Sequence, residues 1–167
     1  MREPHNRVVQ VRRFGGPDEL EAIDAPLPTA GPGEVRVRVL ASSVNYTDVL
    51  IRRHLYPQTM RRRPPFVMGY DVVGEIDQLG DAVRDFRVGD RVADMTVVGS
   101  NAAYRTLRAD RLARVPAALD VAEVATLILS WTTDEVAEAH RRLEAGGLEG
   151  KLVLCPDVSS RADGARA

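Results

Sequence analysis

The sequence predicts a mainly β domain of the α+β class, a small antiparallel barrel with a few short helices. Short apolar and β-branched segments recur over the first 115 residues, and turns containing Gly or Pro separate them at intervals of roughly ten residues. From Val121 onward the apolar residues instead follow a helical spacing. The length of 167 residues, with 44% apolar and 28% charged residues, is typical of one globular domain with a core.

The clearest strand signal is the alternation at Val35, Val37 and Val39, whose period of two indicates a strand buried on one face. Two earlier strands are predicted at 8–14 and 20–23, each followed by a turn rich in Gly or Pro. Further strands are predicted at 72–79, after the tight turn at 87–92, at 101–108, at 111–115 and at 151–154.

Three helices are predicted. The first covers 46–53, with Asn45 or Thr47 as its N-cap. The second covers 121–129 and is capped by Asp120, and the third covers 134–144 and stops at Gly146-Gly147. Residues 1–157 are predicted to form a single domain, and the polar tail 158–167 is predicted to be disordered.

Composition excludes several classes of function. A formal net charge of −1 argues against nucleic-acid binding, which relies on a positive surface. Cys155 is the single cysteine, so no internal disulfide can form. The sequence shows no signal peptide and no apolar run near the roughly 20 residues that span a bilayer, so a cytoplasmic protein that does not engage membranes is expected.

Three segments carry a family resemblance: VNYTDVLIRRHLYP (44–57), PFVMGYDVVGEIDQLGDAVRDFRVGDRVA (65–93) and VAEVATLILSWTT (121–133). Together they resemble the medium-chain dehydrogenase/reductase superfamily, in its zinc-independent quinone oxidoreductase and enoyl reductase branch. The segment DEVAEAHRRLEAGGLEGKLVL (134–154) is similar to the C-terminal helix and strand of the same proteins. The resemblance implies a GroES-like, partly open β-barrel catalytic domain.

In proteins of this family a Rossmann domain of about 140 residues separates the last two segments. Here Thr133 is followed directly by Asp134, and no G-x-G-x-x-G motif follows a predicted strand. The halves 1–133 and 134–157 are therefore expected to flank a missing nucleotide-binding domain, lost either naturally or by engineering. We expect no cofactor in this chain, although the family implies NADPH.

The resemblance also implies site residues. Tyr56 aligns with a tyrosine thought to donate a proton in enoyl reductases, and a phenol can do so when the substrate lies within hydrogen-bonding reach. Asp48 and Tyr70 are further candidates in the same cleft. The alternatives are that Tyr56 only packs before Pro57, and that Asp48 only bonds the local backbone.

Asn45 and Tyr46 are expected near a nicotinamide, if one is bound. Thr133 aligns with a threonine that contacts the nicotinamide in the family, but a role as helix cap is favoured because the continuation is missing. No metal is expected. Asn45 stands where zinc-dependent members have a cysteine, Tyr70 and Asp71 follow Gly69 where they have Gly-His-Glu, and the three histidines lack ligand spacing.

An arginine-rich stretch surrounds Tyr56. Arg52, Arg53 and Arg62 are candidates for binding the phosphate of a substrate, because guanidinium groups bind phosphate through two parallel hydrogen bonds. The alternative is a solvated charged face.

Three functions stay open from the sequence. The first is the substrate-binding domain of an NADPH-dependent reductase of enones, quinones or enoyl thioesters, unable to reduce by itself. The others are a cofactor-free cyclase or isomerase of an unsaturated or polyketide-like substrate, and a non-catalytic binding domain. The expected partner is a small hydrophobic or unsaturated molecule, either free or bound to a carrier or coenzyme A. The apolar segment 121–131 predicts either a homodimer interface or the roof of a substrate pocket.

Overall fold

A computed structural model describes residues 5–128, 141, 144–145 and 153–154, and it confirms a mainly β architecture with few helices. The two helices with described bounds are α1 (Tyr46–Arg52) and α2 (Val121–Ile128). The strands are β1 (Asn6–Val11), β2 (Leu20–Ala25), β3 (Glu34–Ser43), β4 (Phe66–Val67), β5 (Asp71–Leu79), β6 (Arg91–Met95), β7 (Tyr104–Arg108), β8 (Ala113–Arg114) and β9 (Val153–Leu154).

The strands form two antiparallel sheets. The smaller sheet has the order β2-β1-β4, and the larger has the order β7-β3-β5-β6-β8, with β9 pairing to the end of β3. An isolated bridge between Val8 and Ala102 joins β1 to the segment before β7. Strand pairing among the described residues leaves the barrel partly open, as the sequence predicts.

The predicted alternation in β3 is confirmed. Val35, Val37 and Val39 are buried and pack on the inward side chains of β5, β6 and β7. Gly74 of β5 allows the close approach of β3, because a Cβ at this position would lie 2.3 Å from Val37 Cγ1 and 2.5 Å from the Arg38 carbonyl oxygen.

Element boundaries differ from the predictions at two places that matter for the site. β3 continues to Ser43, past a register shift between Val39 and Ala41, and so delivers buried polar residues to the start of α1. The strand predicted from Asn101 begins only at Tyr104, because the amide of Asn101 bonds to the carbonyl of Met68 in a loop.

The helix predicted at 121–129 is confirmed over Val121–Ile128. Asp120 caps it, since its Oδ1 accepts hydrogen bonds from the amides of Ala122 at 2.8 Å and Glu123 at 3.1 Å. Neither helix with described bounds is long and apolar enough to cross a membrane.

The C-terminal part is described at a few positions. Residues 141, 144 and 145 are helical, and β9 runs antiparallel to β3 with Val153 opposite Ser43 and Leu154 opposite Ser42. Thr133, its joint with Asp134 and the tail 158–167 lie outside the described residues.

Candidate functional site

The polar residues singled out in the sequence gather where β3 ends, α1 begins and the chain enters β5. α1 starts directly after the buried end of β3, and the loop after α1 returns through Tyr56 to β4. Tyr70 then immediately precedes β5. The topology therefore brings positions 43–48, 56 and 70–71 to one end of the open barrel.

Two tyrosines form the centre of this region. The hydroxyl oxygens of Tyr56 and Tyr70 are 3.1 Å apart, and their rings meet edge to face with centroids 6.1 Å apart. Tyr56 is held at the start of a 3-10 turn, where its carbonyl accepts a 3.0 Å hydrogen bond from the Thr59 hydroxyl. Both rings are half-buried against the cluster that contains Ile51 and Met68.

The pKa of Tyr70 is shifted by its surroundings. The hydrogen bond to Tyr56 raises the pKa of Tyr70 above its ordinary value, and burial and the nearby charges of Tyr56, Asp48 and Asp71 add to the rise. Either of the two hydroxyls can donate the hydrogen bond that joins them.

Asp48 lies in the first turn of α1 and is 1% exposed. Its Oδ2 accepts a hydrogen bond from the backbone N–H of Asn45 at 2.8 Å. Burial raises the pKa of Asp48 to about 7, although hydrogen bonds from Asn45 and from the backbone of Gly69 oppose the rise. Its Oδ1 is buried and has no hydrogen-bond partner among the described residues.

A second set of hydrogen bonds reaches Asn45 from β5. The carboxylate of Asp71 accepts the backbone N–H of Ser43 on Oδ1 and the Ser43 hydroxyl on Oδ2, both at 2.8 Å. The Asn45 side-chain nitrogen in turn donates to Ser43 Oγ at 2.7 Å. Ser43 was not among the predicted site residues, because nothing in the sequence distinguishes it from Ser42.

Gly69 sets the position of Tyr70. Its φ of +99° belongs to the left-handed region, and a Cβ would lie 2.2 Å from Asn101 Oδ1 and 2.5 Å from the Asn101 nitrogen. The segment from Thr96 to Asn101 covers this turn, with the Thr96 amide 2.6 Å from the Tyr70 carbonyl oxygen. Asn101 is a second contributor that the sequence did not reveal.

The predicted phosphate arginines are not gathered into one cluster. Arg52 is fully buried, and its guanidinium bonds to the Gly15 carbonyl and the Glu144 carboxylate, so it is not available to a phosphate in this structure. Arg53 is also paired with Glu144, at 2.8 Å. Arg62 is exposed and lies over the Phe66 ring, 5.5 Å from its centroid. A phosphate role stays a prediction for Arg53 and Arg62.

The remaining predicted residues are placed as follows. Tyr46 begins α1 and is 60% exposed, whereas Asn45 beside it is half-buried. Within the described ranges no three His, Cys, Asp or Glu side chains are grouped as metal ligands. His54 instead stacks on Phe14 at a centroid distance of 3.9 Å.

A cavity formed by other described residues lies elsewhere. About 620 Å³ in volume, it is open to solvent and is lined by the turn before β6 and by β8, including Asp90, Arg91 and Arg114. None of its lining residues belongs to the tyrosine pair or its neighbours. We therefore locate the candidate site by its chemistry, since two charged residues of the cavity, Arg114 and Asp90, already pair with each other.

Comparison with known proteins gives a consistent assignment. Residues 31–117 match the family described as the alcohol dehydrogenase GroES-like domain. Quinone oxidoreductase of Pseudomonas aeruginosa is 34% identical over 128 residues, covering 76% of this chain and 38% of that protein. A mycocerosic acid synthase-like polyketide synthase of Mycobacterium tuberculosis is 35% identical over 125 residues, covering 75% of this chain and 6% of that protein.

Solved structures agree with the fold. The structure of Escherichia coli quinone oxidoreductase complexed with NADPH superposes with a TM-score of 0.63 at 27% identity, covering 68% of this chain and 34% of that one. The chain thus spans about two-fifths or less of the length of these quinone oxidoreductases.

Proposed function

The chain belongs to the alcohol dehydrogenase GroES-like domain family, as a catalytic domain of the quinone oxidoreductase and enoyl reductase type, and we propose that it binds the substrate of a zinc-independent, NADPH-dependent reductase. The substrate class is a quinone, an enone or an enoyl thioester. The observation that carries the proposal is the pair of hydroxyls on Tyr56 and Tyr70, 3.1 Å apart at the barrel end where the family resemblance is concentrated.

Each tyrosine has a separate role. Tyr56 holds the proton that is delivered to the reduced substrate, and Tyr70 donates a hydrogen bond to Tyr56 Oη. As Tyr56 gives up its proton, negative charge develops on its oxygen, and the Tyr70 hydroxyl stabilises that charge. The half-buried setting of both rings limits the access of water, which would compete for this hydrogen bond.

The described residues include groups that suit the nicotinamide end of NADPH but not its pyrophosphate. The half-buried Asn45 and the exposed ring of Tyr46 lie at the start of α1, where they could face a nicotinamide. When bound, NADPH would supply the hydride for the reduction. Its pyrophosphate needs a glycine-rich turn between a strand and a helix, and the sequence contains no such motif.

We therefore infer that the chain does not reduce its substrate alone. Residues 1–157 form one substrate domain, and the nucleotide is held by a separate nucleotide-binding domain. The part of the relatives' length that this chain does not span is large enough for such a domain.

A calorimetric titration of NADPH into the 167-residue chain tests this inference, together with an assay of NADPH oxidation in the presence of a quinone. We expect no saturable binding at micromolar ligand and no turnover. Binding of the quinone alone should remain, and Tyr46→Ala, which removes an exposed ring at the start of α1, should weaken it. Saturable micromolar binding of NADPH would contradict the inference, and failure of every quinone and enone to bind would contradict the proposal.

A second candidate is a cofactor-free isomerase or cyclase of an unsaturated substrate. It is favoured by Asp48, whose pKa of about 7 suits proton transfer at neutral pH, beside two tyrosines. Incubating the chain with enones in deuterated water, without NADPH, tests it. Deuterium incorporation that is lost in Asp48→Asn would favour this candidate over the reductase.

The proposed homodimer would form through the apolar residues of 121–131. Two of these residues are already buried inside the domain itself. Val124 and Ala125 are buried against Ala41, Val73 and Val115, so this part of α2 belongs to the domain's own core. The side chains of 126–131 lie outside the described part of the chain, and sedimentation of the chain at several concentrations tests the dimer.

A further inference from the structure

A continuous set of hydrogen bonds connects β5 to Asn45, the residue before α1. Asp71 and Ser43 are both fully buried, and two hydrogen bonds of 2.8 Å join them. Ser43 Oγ is also 2.7 Å from the side-chain nitrogen of Asn45. Asn45 forms a capping box with Asp48 at the start of α1.

The direction of each hydrogen bond follows from the donor inventory. An ionised carboxylate can only accept, so the single hydrogen of the Ser43 hydroxyl is committed to Asp71. Ser43 Oγ can then act toward Asn45 only as an acceptor. The Asn45 amide must therefore present its nitrogen to Ser43, since its oxygen would meet a lone pair with no hydrogen between them.

We propose that Ser43 and Asp71 are positioning residues that fix the orientation of the Asn45 side-chain amide in the candidate site. The role assigned to this site rests on the proposed function, whereas the orientation of the amide does not. With its nitrogen held at Ser43, the amide keeps its oxygen for the capping box at the first turn of α1. The Asp71 carboxylate thereby determines that the side-chain nitrogen of Asn45 faces Ser43 and that its side-chain oxygen faces the first turn of α1.

Exchanging the acid and the amide tests the direction of these bonds. In Asn45→Asp, a carboxylate oxygen meets Ser43 Oγ, whose hydrogen is already used, although aspartate is as good an N-cap as asparagine. In Asp71→Asn, the amide nitrogen donates to Ser43 Oγ, which already accepts from Asn45, and the Ser43 hydrogen loses its acceptor. Each single substitution should lower the midpoint of thermal unfolding by roughly 5–10 °C.

The double variant Asn45→Asp/Asp71→Asn should lose less stability than the two single variants lose when their losses are added together. The amide introduced at position 71 can accept the Ser43 N–H and donate to Ser43 Oγ, and the Ser43 hydroxyl can then donate to the carboxylate introduced at position 45. All three side chains are again paired, with reversed direction and unchanged net charge. Recovery of at least half of the summed losses at about pH 6 supports the proposal, and simple additivity of the losses overturns it.

A spectroscopic measurement separates positioning from a general effect on stability. The side-chain NH₂ of Asn45 should show slowed proton exchange by NMR in the folded chain, and Ser43→Ala should abolish this protection. Ser42→Ala is the matched control, because the neighbouring Ser42 is equally buried and its hydroxyl has no partner among the described residues. Equal protection in both variants would overturn the proposal. Neither measurement involves NADPH or turnover, so failure of the proposed reductase function would leave the result unchanged.

Discussion

The guanidinium of Arg52, which is fully buried, is paired with the carboxylate of Glu144, which follows it by 92 residues. The same guanidinium bonds to the Gly15 carbonyl, and the Gly15 amide donates to the Arg52 carbonyl at 3.0 Å. Arg141 adds an exposed ion pair to Asp18 at 2.9 Å. Arg141 and Glu144 are thus tied to the turn after β1 and to α1, the helix that also carries Asp48 of the candidate site.

Replacing Glu144 should destabilise the chain strongly. In Glu144→Gln the buried Arg52 loses its negative partner, and breaking a buried pair in this way costs about 3 kcal/mol of unfolding free energy. Urea unfolding followed by circular dichroism measures the loss.

Asp110 provides the matched control for this change. Its pair with Arg108 is also close, at 2.6 Å, but both side chains are more than 60% exposed. Water and salt screen such a pair, so Asp110→Asn should leave the unfolding free energy nearly unchanged. A cost for Glu144→Gln as small as that for Asp110→Asn would show that the buried pair contributes little.

Much of the fold could be predicted because its determinants are local. The alternation at Val35 to Val39 and the capping residue Asp120 act on their immediate neighbours, and both are confirmed. Ser43 and Arg52 could not be assigned, since their partners Asp71 and Glu144 are brought to them only by the tertiary fold. In the sequence, Arg52 looks like part of a solvated basic face, because nothing near it shows that the distant Glu144 pairs with it.

Replacing Gly69 by alanine should destabilise the chain far more than the same replacement at a glycine that has a similar backbone conformation but open space around it. Gly89 has a φ of +93°, and a Cβ added to it would meet no atom within 4 Å, whereas a Cβ on Gly69 collides with Asn101. Gly89→Ala isolates the cost of the left-handed conformation, about 1 kcal/mol, and Gly69→Ala adds the cost of displacing Asn101 and the covering loop.

Thermal unfolding of the two variants measures this difference. Gly69→Ala should have the lower midpoint, and the hydroxyl contact between Tyr56 and Tyr70 should be disturbed in that variant alone. Equal midpoints of thermal unfolding for the two variants would mean that the loop at Asn101 can move away from a Cβ at position 69 with no loss of stability.

Stability should depend on pH through Asp48. Its pKa is raised from 3.8 to about 7 in the folded chain, so between about pH 4 and pH 7 the folded form holds a proton that the unfolded form releases. The free energy of unfolding therefore falls as pH rises through this window, by on the order of 4 kcal/mol from this group. Asp48→Asn should remove this dependence and be more stable than the parent at about pH 8.

The contribution of Asp90 to the pH dependence of the unfolding free energy should have the opposite sign. Hydrogen bonds from the Arg87 amide and from Arg114 lower its pKa, so its stabilising contribution is present at neutral pH and is lost as the solution becomes acidic. Comparing urea unfolding of Asp48→Asn and Asp90→Asn from about pH 4 to pH 8 separates the two effects. Parallel curves for Asp48→Asn and the parent would contradict a raised pKa at Asp48.

The tyrosine pair predicts a titration that needs no substrate. Because the hydrogen bond to Tyr56 is the largest cause of the raised pKa of Tyr70, Tyr56→Phe should lower the pKa of Tyr70 toward its ordinary value. The ¹³Cζ shift of Tyr70, followed by NMR from about pH 8 to pH 12, measures this change. Tyr104→Phe is the control, since Tyr104 contacts Arg36 on the sheet and not the pair. If Tyr70 titrates identically in Tyr56→Phe and Tyr104→Phe, the two hydroxyls do not share a hydrogen bond in solution, and the assistance that Tyr70 gives to proton donation by Tyr56 is lost from the mechanism.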